Sequence, residues 1–118
     1  MTAGEGFSKK ERLLKSKDFR VVYAKGRKFS VGGAAMCYSE NALGRNRLGF
    51  SISSRNFKLA VARNRIRRLF KEVYRRDKAV LPSGFDIILV VKRGFDKNSP
   101  YAEAERVFKE LVKKAGLS

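Results

Sequence analysis

The chain has 118 residues, room for one compact domain around a single hydrophobic core, and 43% of them are apolar, which argues against wholesale disorder. Twenty-eight lysines and arginines stand against eleven aspartates and glutamates, a formal net charge of +17. Self-repulsion at that density points to a polyanionic partner. There is no histidine and only one cysteine, Cys37. An internal disulfide, a Cys/His zinc site and the Ser-His-Asp or Cys-His nucleophile arrangements are therefore excluded. Neither a glycine-rich phosphate loop nor a paired-carboxylate pattern is present. The expectation is a protein that binds rather than catalyses by itself, with no catalytic residue, no metal site and no small-molecule substrate of its own. No apolar run approaches the roughly 20 residues that span a bilayer, and Met1 to Lys10 lacks the apolar stretch of a secretory signal. A cytoplasmic protein without a membrane partner is expected.

In chain order, residues 1–15 are polar and basic, and 1–8 read as a flexible arm on a single domain spanning 1–118. Ser16 is the predicted N-cap of a short helix, Lys17 to Lys25, that ends at Gly26. Its residues Phe19, Val22 and Tyr23 share one helical face. Phe29 to Tyr38 reads as a strand bent at Gly32-Gly33. Ser39 to Asn46 reads as a turn or hairpin connection. Arg47 to Ser53 alternates, with Leu48, Phe50 and Ile52 on one side, as a half-buried strand does. A long helix is predicted from about Leu59 to Lys78, broken by Pro82-Ser83-Gly84. The uninterrupted run Ile87 to Val91 suits a central strand covered on both faces. Ser99 as N-cap and Pro100 at the first helical position start a last helix, with Ala104, Val107, Phe108, Leu111, Val112 and Ala115 on its apolar face and Gly116 at its end.

The long helix carries the charge. From Lys58 to Lys78 there are nine basic and two acidic residues. At about 100° per residue, Ala62, Ile66, Leu69, Phe70 and Val73 gather on one side. Arg63, Asn64, Arg67, Arg68, Lys71 and Arg75 gather on the other, with Arg65, Arg76 and Glu72 at the flank. An ordinary solvated face mixes signs to gain i, i+4 pairs, whereas this one sets Arg63 against Arg67 and Lys71 against Arg75, each at a cost of a few tenths of a kcal/mol. A planar guanidinium can grip phosphate oxygens with two parallel hydrogen bonds, and Asn64 adds an amide that both donates and accepts. The triplet Arg-Asn-Arg occurs twice; the copy at Arg45-Asn46-Arg47 lies outside any basic helix and reads as a solvated turn.

Ala60-Val61-x-Arg63-Asn64-Arg65-Ile66-Arg67-Arg68 followed by Glu72 resembles the signature helix of the bacterial ribonuclease P protein family. Arg12-Leu13, Asp18-Phe19, Val22-Tyr23 and Gly26 resemble the family's N-terminal helix. The strands Arg47 to Ser53 and Phe85 to Val91 resemble those flanking the signature, so the resemblance runs from about Arg12 to Leu111. Lys58 stands where many members have glycine, and Lys71 where many have arginine. The resemblance implies an α/β (α+β) two-layer sandwich with three helices on a mixed sheet of about four strands, in the order α-β-β-β-α-β-α, with a left-handed βαβ crossover. It implies a subunit of an endoribonuclease that removes the 5′ leader of precursor tRNA. The active centre and its Mg²⁺ ions are expected in the catalytic RNA. Arg55, Asn56, Lys58, Arg63, Asn64, Arg65, Arg67, Arg68 and Lys71 are the residues expected to bind that RNA. Arg12, Phe19, Tyr23 and Tyr38 are those expected to line a leader cleft, where stacking tolerates any base. One protein monomer per RNA is expected.

Two other readings fit the composition. One is a ribosomal or general RNA-chaperone protein with no link to cleavage. The other is a DNA-binding helix-turn-helix protein, which fits poorly because a strand and loop, not a helix, precede the basic helix.

Overall fold

The computed structural model describes residues 9–117; the arm expected over residues 1–8 lies outside them. A 3₁₀ turn, Lys9–Glu11, precedes α1 (Ser16–Lys25), β1 (Arg27–Val31), β2 (Ala34–Glu40), β3 (Arg47–Ile52), α2 (Ala60–Asp77), a second 3₁₀ turn (Lys78–Val80), β4 (Phe85–Val91) and α3 (Tyr101–Ala115). The four strands form one mixed sheet in the order β1-β2-β4-β3. β4 is antiparallel to β2 and parallel to β3, so β3, α2 and β4 make a βαβ crossover between neighbouring strands.

Three expectations need correction. The segment Phe29 to Tyr38 is two strands, not one bent strand. Gly32-Gly33 closes a two-residue hairpin in which Val31 faces Ala34, and Gly32 holds φ +54°, as the first position of a primed turn requires. Residues 39–46 do not close a hairpin, because β4 inserts between β2 and β3. The two helix caps are shifted by one residue: Lys15 and Pro100 hold the extended N-cap positions, with no side-chain cap bond. Ser99 instead donates its hydroxyl hydrogen to the Asp96 carbonyl at 2.7 Å, closing the turn before α3.

Alternation along the strands sorts side chains to two faces. Met36, Tyr38, Leu48, Ile52, Ile87, Leu89 and Val91 meet Ile66, Phe70, Val73 and Tyr74 of α2 and the six predicted apolar residues of α3 in the main core. On the opposite face a smaller cluster joins Leu13, Val22, Cys37 and Ile88, with Phe19 and Val90 packed against it. The sheet and the α2–α3 layer are thus the two principal layers, and α1 covers part of the sheet's other face. Burial holds the Cys37 thiol above its usual pKa, and its Sγ lies 3.6 Å from the Val22 carbonyl, consistent with a small buried strand residue.

Candidate nucleic-acid interface

The oily stripe of α2 anchors the helix. Ile66, Phe70 and Val73 are fully buried, and Tyr74 joins them. The cationic stripe is therefore turned away from the core. Among the described residues no carboxylate forms an ion pair with Arg63, Arg65, Arg67 or Arg68. Farther along, Glu72 engages Arg75 at 2.6 Å and Arg76 at 2.8 Å, and those hydrogen bonds pull its carboxyl pKa from 4.5 down to about 2. The open cationic strip is thus the first half of the helix.

Its arginines do not all have the same freedom. Arg63 donates from one Nη1 to the Phe57 and Lys58 carbonyls, at 2.8 and 3.1 Å. That ties the loop carrying Arg55, Asn56 and Lys58 to the helix. The same loop is pinned by buried Phe57, whose amide donates to the Ser53 carbonyl, and by the Asn56 amide, which donates to Ser53 Oγ. Lys58 needs no glycine-like backbone here, since Ala42 alone among the described non-glycine residues has a positive φ. Arg65 reaches across to the Lys97 and Ser99 carbonyls, at 2.6 and 3.0 Å, and so fastens α2 to the turn before α3. Arg67 donates to Asn64 Oδ1 at 2.8 Å, one turn back. Arg68 is exposed. A guanidinium has five N–H donors, so Arg63, Arg65 and Arg67 each keep donors for an incoming phosphate while being held in place.

Between α1, β3 and α2 lies a cleft of about 250 Å³. Phe19, Phe50, Leu14 and Gly49 supply its apolar surface, and Arg12, Arg67 and Lys71 its charge. Burial first, then the neighbouring Arg12 and Arg67 charges, lower the Lys71 pKa, the signature of cations crowded together. Gly49 makes the arrangement fit: a Cβ there would lie 2.6 Å from the Phe19 ring and 2.8 Å from the Leu13 carbonyl. With that space open, the Leu13 amide donates to the Leu48 carbonyl and the chain at Arg12 pairs with β3. Phe19 also lines a shallow cavity of about 290 Å³ along α1 with Leu14, Ser16, Arg20 and Tyr23. Tyr23 is 48% exposed, its ring 6.4 Å from that of Phe19.

The structure therefore brings Arg12, Phe19, Arg67 and Lys71 into one cleft, with Tyr23 next to it. It does not bring Tyr38 there. Tyr38 is on the opposite sheet face, 7% exposed, with its hydroxyl donating to the Ala115 carbonyl at 2.8 Å. Period two explains this: Cys37, its neighbour in β2, is the residue that faces α1. Phe50, absent from the sequence-based set, lines the cleft, because the β3 edge lets a main-core side chain reach it.

The first Arg-Asn-Arg triplet is not a solvated turn. Arg47 donates to both carboxylate oxygens of Asp86, at 2.7 and 2.6 Å, and lies 3.5 Å from Asp18. The Asn46 side chain donates to the Pro82 carbonyl and accepts from the Phe85 amide. Arg45 donates to the Lys10 carbonyl. These bonds join the starts of β3 and β4, a destination no local pattern announces.

Asp18 and Asp86 are thus both turned to Arg47. Among the described residues no group of three or more acidic or cysteine side chains could hold a metal ion. No helix of the described residues is long and apolar enough to cross a membrane.

A sequence model of the family described as Ribonuclease P matches residues 7–116. The ribonuclease P protein component of Syntrophomonas wolfei is 37% identical over 109 residues, covering 92% of this chain and 90% of the relative. That of Clostridium kluyveri is 37% identical over 108 residues, covering 90% and 95%. Among solved structures, the RNase P protein of Staphylococcus aureus superposes with a TM-score of 0.82 at 25% identity, covering 91% of this chain and 96% of that one. The RNase P protein of Thermotoga maritima gives 0.79 at 26% identity, covering 88% and 96%.

Proposed function

The chain belongs to the bacterial ribonuclease P protein family, and from that premise we propose that it binds the ribonuclease P RNA and the 5′ leader of precursor tRNA, assisting removal of the leader. One observation carries the reading: the open cationic half of α2 and the aromatic surface of α1 meet in a single cleft through Arg67, Lys71 and Phe19. A folded RNA seated on α2 would there be held beside a single strand lying along α1.

Each residue then has a physical task. Arg68, with the donors that Arg63, Arg65 and Arg67 keep, takes phosphates of the catalytic RNA in charge-assisted hydrogen bonds, and Arg55 and Lys58 extend that surface along the loop. Lys71 and Arg12 neutralise phosphates where catalytic RNA and substrate converge. Phe19 and Tyr23 offer rings to leader bases, at roughly 1–3 kcal/mol per stacked base whatever the sequence. Cleavage chemistry and its Mg²⁺ belong to the RNA, with one protein per RNA, in the cytoplasm. The protein's contribution is screening: it lets two polyanions approach at a Mg²⁺ concentration too low to do so alone.

The test is reconstitution with a bacterial ribonuclease P RNA at low Mg²⁺. Leader removal is expected with the protein and not without it, and a Phe19→Ala variant is expected to lose affinity for precursor tRNA much more than for mature tRNA. Binding to structured RNA without any stimulation of leader removal would instead favour a general RNA-chaperone role.

A further inference from the structure

The cations of this protein divide by what holds them. On the exposed face of α3, Arg106 is gripped by Glu103 and Glu110, and Lys109 lies 3.8 Å from Glu105, so carboxylates cancel the charge there. At the end of α3 and along β1 the pattern changes. The Lys114 ammonium donates to the Ser30 carbonyl of β1 at 2.9 Å. Arg27 lies over the Phe29 ring, 5.8 Å from its centroid. Each of these two cations is held in place by a group that carries no net charge. Both are exposed, as is Lys28, and none of the three pairs with a carboxylate among the described residues. Glu40 shares a groove with Arg27 but forms no ion pair with it.

β1 is one edge of the sheet and β3 the other. Register places Arg27 beside Tyr38, on the face that α3 covers, so Arg27 and Lys114 stand on the same side of this edge. Arg27 and Ser30 are about 10 Å apart along the extended strand. The open half of α2 lies at the opposite edge, where Arg67 and Lys71 meet Gly49 and Phe50 of β3. Three strand spacings of about 4.8 Å separate the two edges, so the two surfaces meet different stretches of a bound polyanion. The rings at the β1 edge are not offered to bases. Phe29 packs on Tyr38 at 6.2 Å and Tyr38 on Phe85 at 5.7 Å, and none of the three is exposed. Cations without free rings suit a paired RNA segment, which presents phosphates and 2′-hydroxyls and keeps its bases stacked inside.

We propose that the β1 edge, with Arg27 and Lys114, is a second docking surface for ribonuclease P RNA and takes the backbone of a base-paired segment of it. The proposal rests on the RNA-binding reading above and adds a contact away from both the signature helix and the aromatic cleft. Charges left uncancelled on a protein of net charge +17 repel one another, and a partner bound throughout the catalytic cycle relieves that repulsion at all times. The substrate relieves it only while bound. The protein then touches the catalytic RNA at two separated places, one at each edge of its sheet.

The test measures binding to a bacterial ribonuclease P RNA without substrate, across a salt series. Arg27→Gln/Lys114→Gln is compared with Arg106→Gln/Lys109→Gln, which removes as much charge from the carboxylate-paired face of α3. The first variant is expected to bind about five- to tenfold more weakly, with a log–log salt slope smaller by about 0.9 for each phosphate it no longer neutralises. The second is expected within about twofold of the native protein at an unchanged slope. No loss in the first variant, or equal losses in both, would overturn the proposal, as would a loss seen only when precursor tRNA is added. A second measurement keeps the native cations. Cys37, the single cysteine of the chain, is buried, so Ser30→Cys supplies one exposed thiol for a tethered iron chelate. Radical cleavage is expected within a base-paired segment of the RNA; cleavage confined to unpaired nucleotides, or none, would also overturn it. Failure of the underlying reading looks different: the native protein and Arg68→Ala would then bind the RNA equally poorly.

Discussion

The same triplet, Arg-Asn-Arg, occurs in two places and does two different jobs. At Arg45-Asn46-Arg47 the donors are spent inside the protein: Arg47 grips both carboxylate oxygens of buried Asp86, Asn46 bridges to Pro82 and Phe85, and Arg45 holds the 3₁₀ turn at Lys10. At Arg63-Asn64-Arg65 the donors go to main-chain carbonyls on one side, and the charges stay unneutralised by any carboxylate among the described residues. A hydrogen bond to a carbonyl positions an arginine without cancelling its charge, whereas a bidentate carboxylate both positions and cancels it. The difference teaches that the acidic partner, not the arginine, decides whether such a triplet is scaffold or binding surface.

The contrast can be broken most sharply at Arg47. Arg47→Ala leaves Asp86, 8% exposed in the native fold, with the Asn41 side-chain amide but no cation. A loss of about 3 kcal/mol is expected, near the lower end for a broken buried pair because Arg47 itself is partly exposed. Denaturant unfolding measures it, and a midpoint close to that of Arg45→Ala would remove the distinction between scaffold and surface. Arg65→Ala comes next. It should cost about 1–2 kcal/mol, since two charge-assisted bonds to the turn before α3 disappear, and should also weaken binding to the ribonuclease P RNA. Both losses in one variant would show that a signature arginine serves architecture and recognition together. Arg68→Ala should be its opposite. Stability should stay within about 0.5 kcal/mol of the native protein, while RNA affinity drops and the salt slope falls by about 1. An unchanged slope, read by titration at several salt concentrations, would mean that Arg68 meets no phosphate.

Glu72 sharpens the comparison at the smallest scale, because it is the carboxylate that removes Arg75 and Arg76 from the open strip. Its pKa is depressed from 4.5 to about 2. The contribution is therefore present above pH 4.5 and is lost as pH falls through about 2. The pair is exposed enough that solvent screening keeps it below about 1 kcal/mol. Glu72→Gln should flatten the stability profile across that window and leave the neutral-pH midpoint nearly in place. The same variant should raise RNA affinity slightly by removing a negative charge beside the strip, which a binding titration at neutral pH would detect.

Much of the site is legible in the chain because helical periodicity is a local property. The oily and cationic stripes of α2 follow from residues three and four apart, and α3 buries each of its six predicted apolar residues. Phe19 and Tyr23 likewise share a face through spacing alone. What spacing cannot supply is the distant partner. Arg47 and Asp86 are 39 residues apart, as are Asn46 and Phe85, so nothing near the first triplet marks it as a clamp. Tyr38 against Cys37 is a choice of one strand position, and it is decided by which sheet face α1 covers.

The sequence by itself determined the three helices, the strands β3 and β4, the excess of positive charge and the stripe that displays it, since each is written in composition or in a repeat of two or of three to four residues. Only the tertiary structure decided that β4 separates β2 from β3, that one triplet is neutralised while the other stays charged, and that α1 and α2 share a cleft over Gly49. Strand order, ion-pair partners and close approach are contacts between residues far apart in the chain, and their free energy exists only once the whole chain has folded.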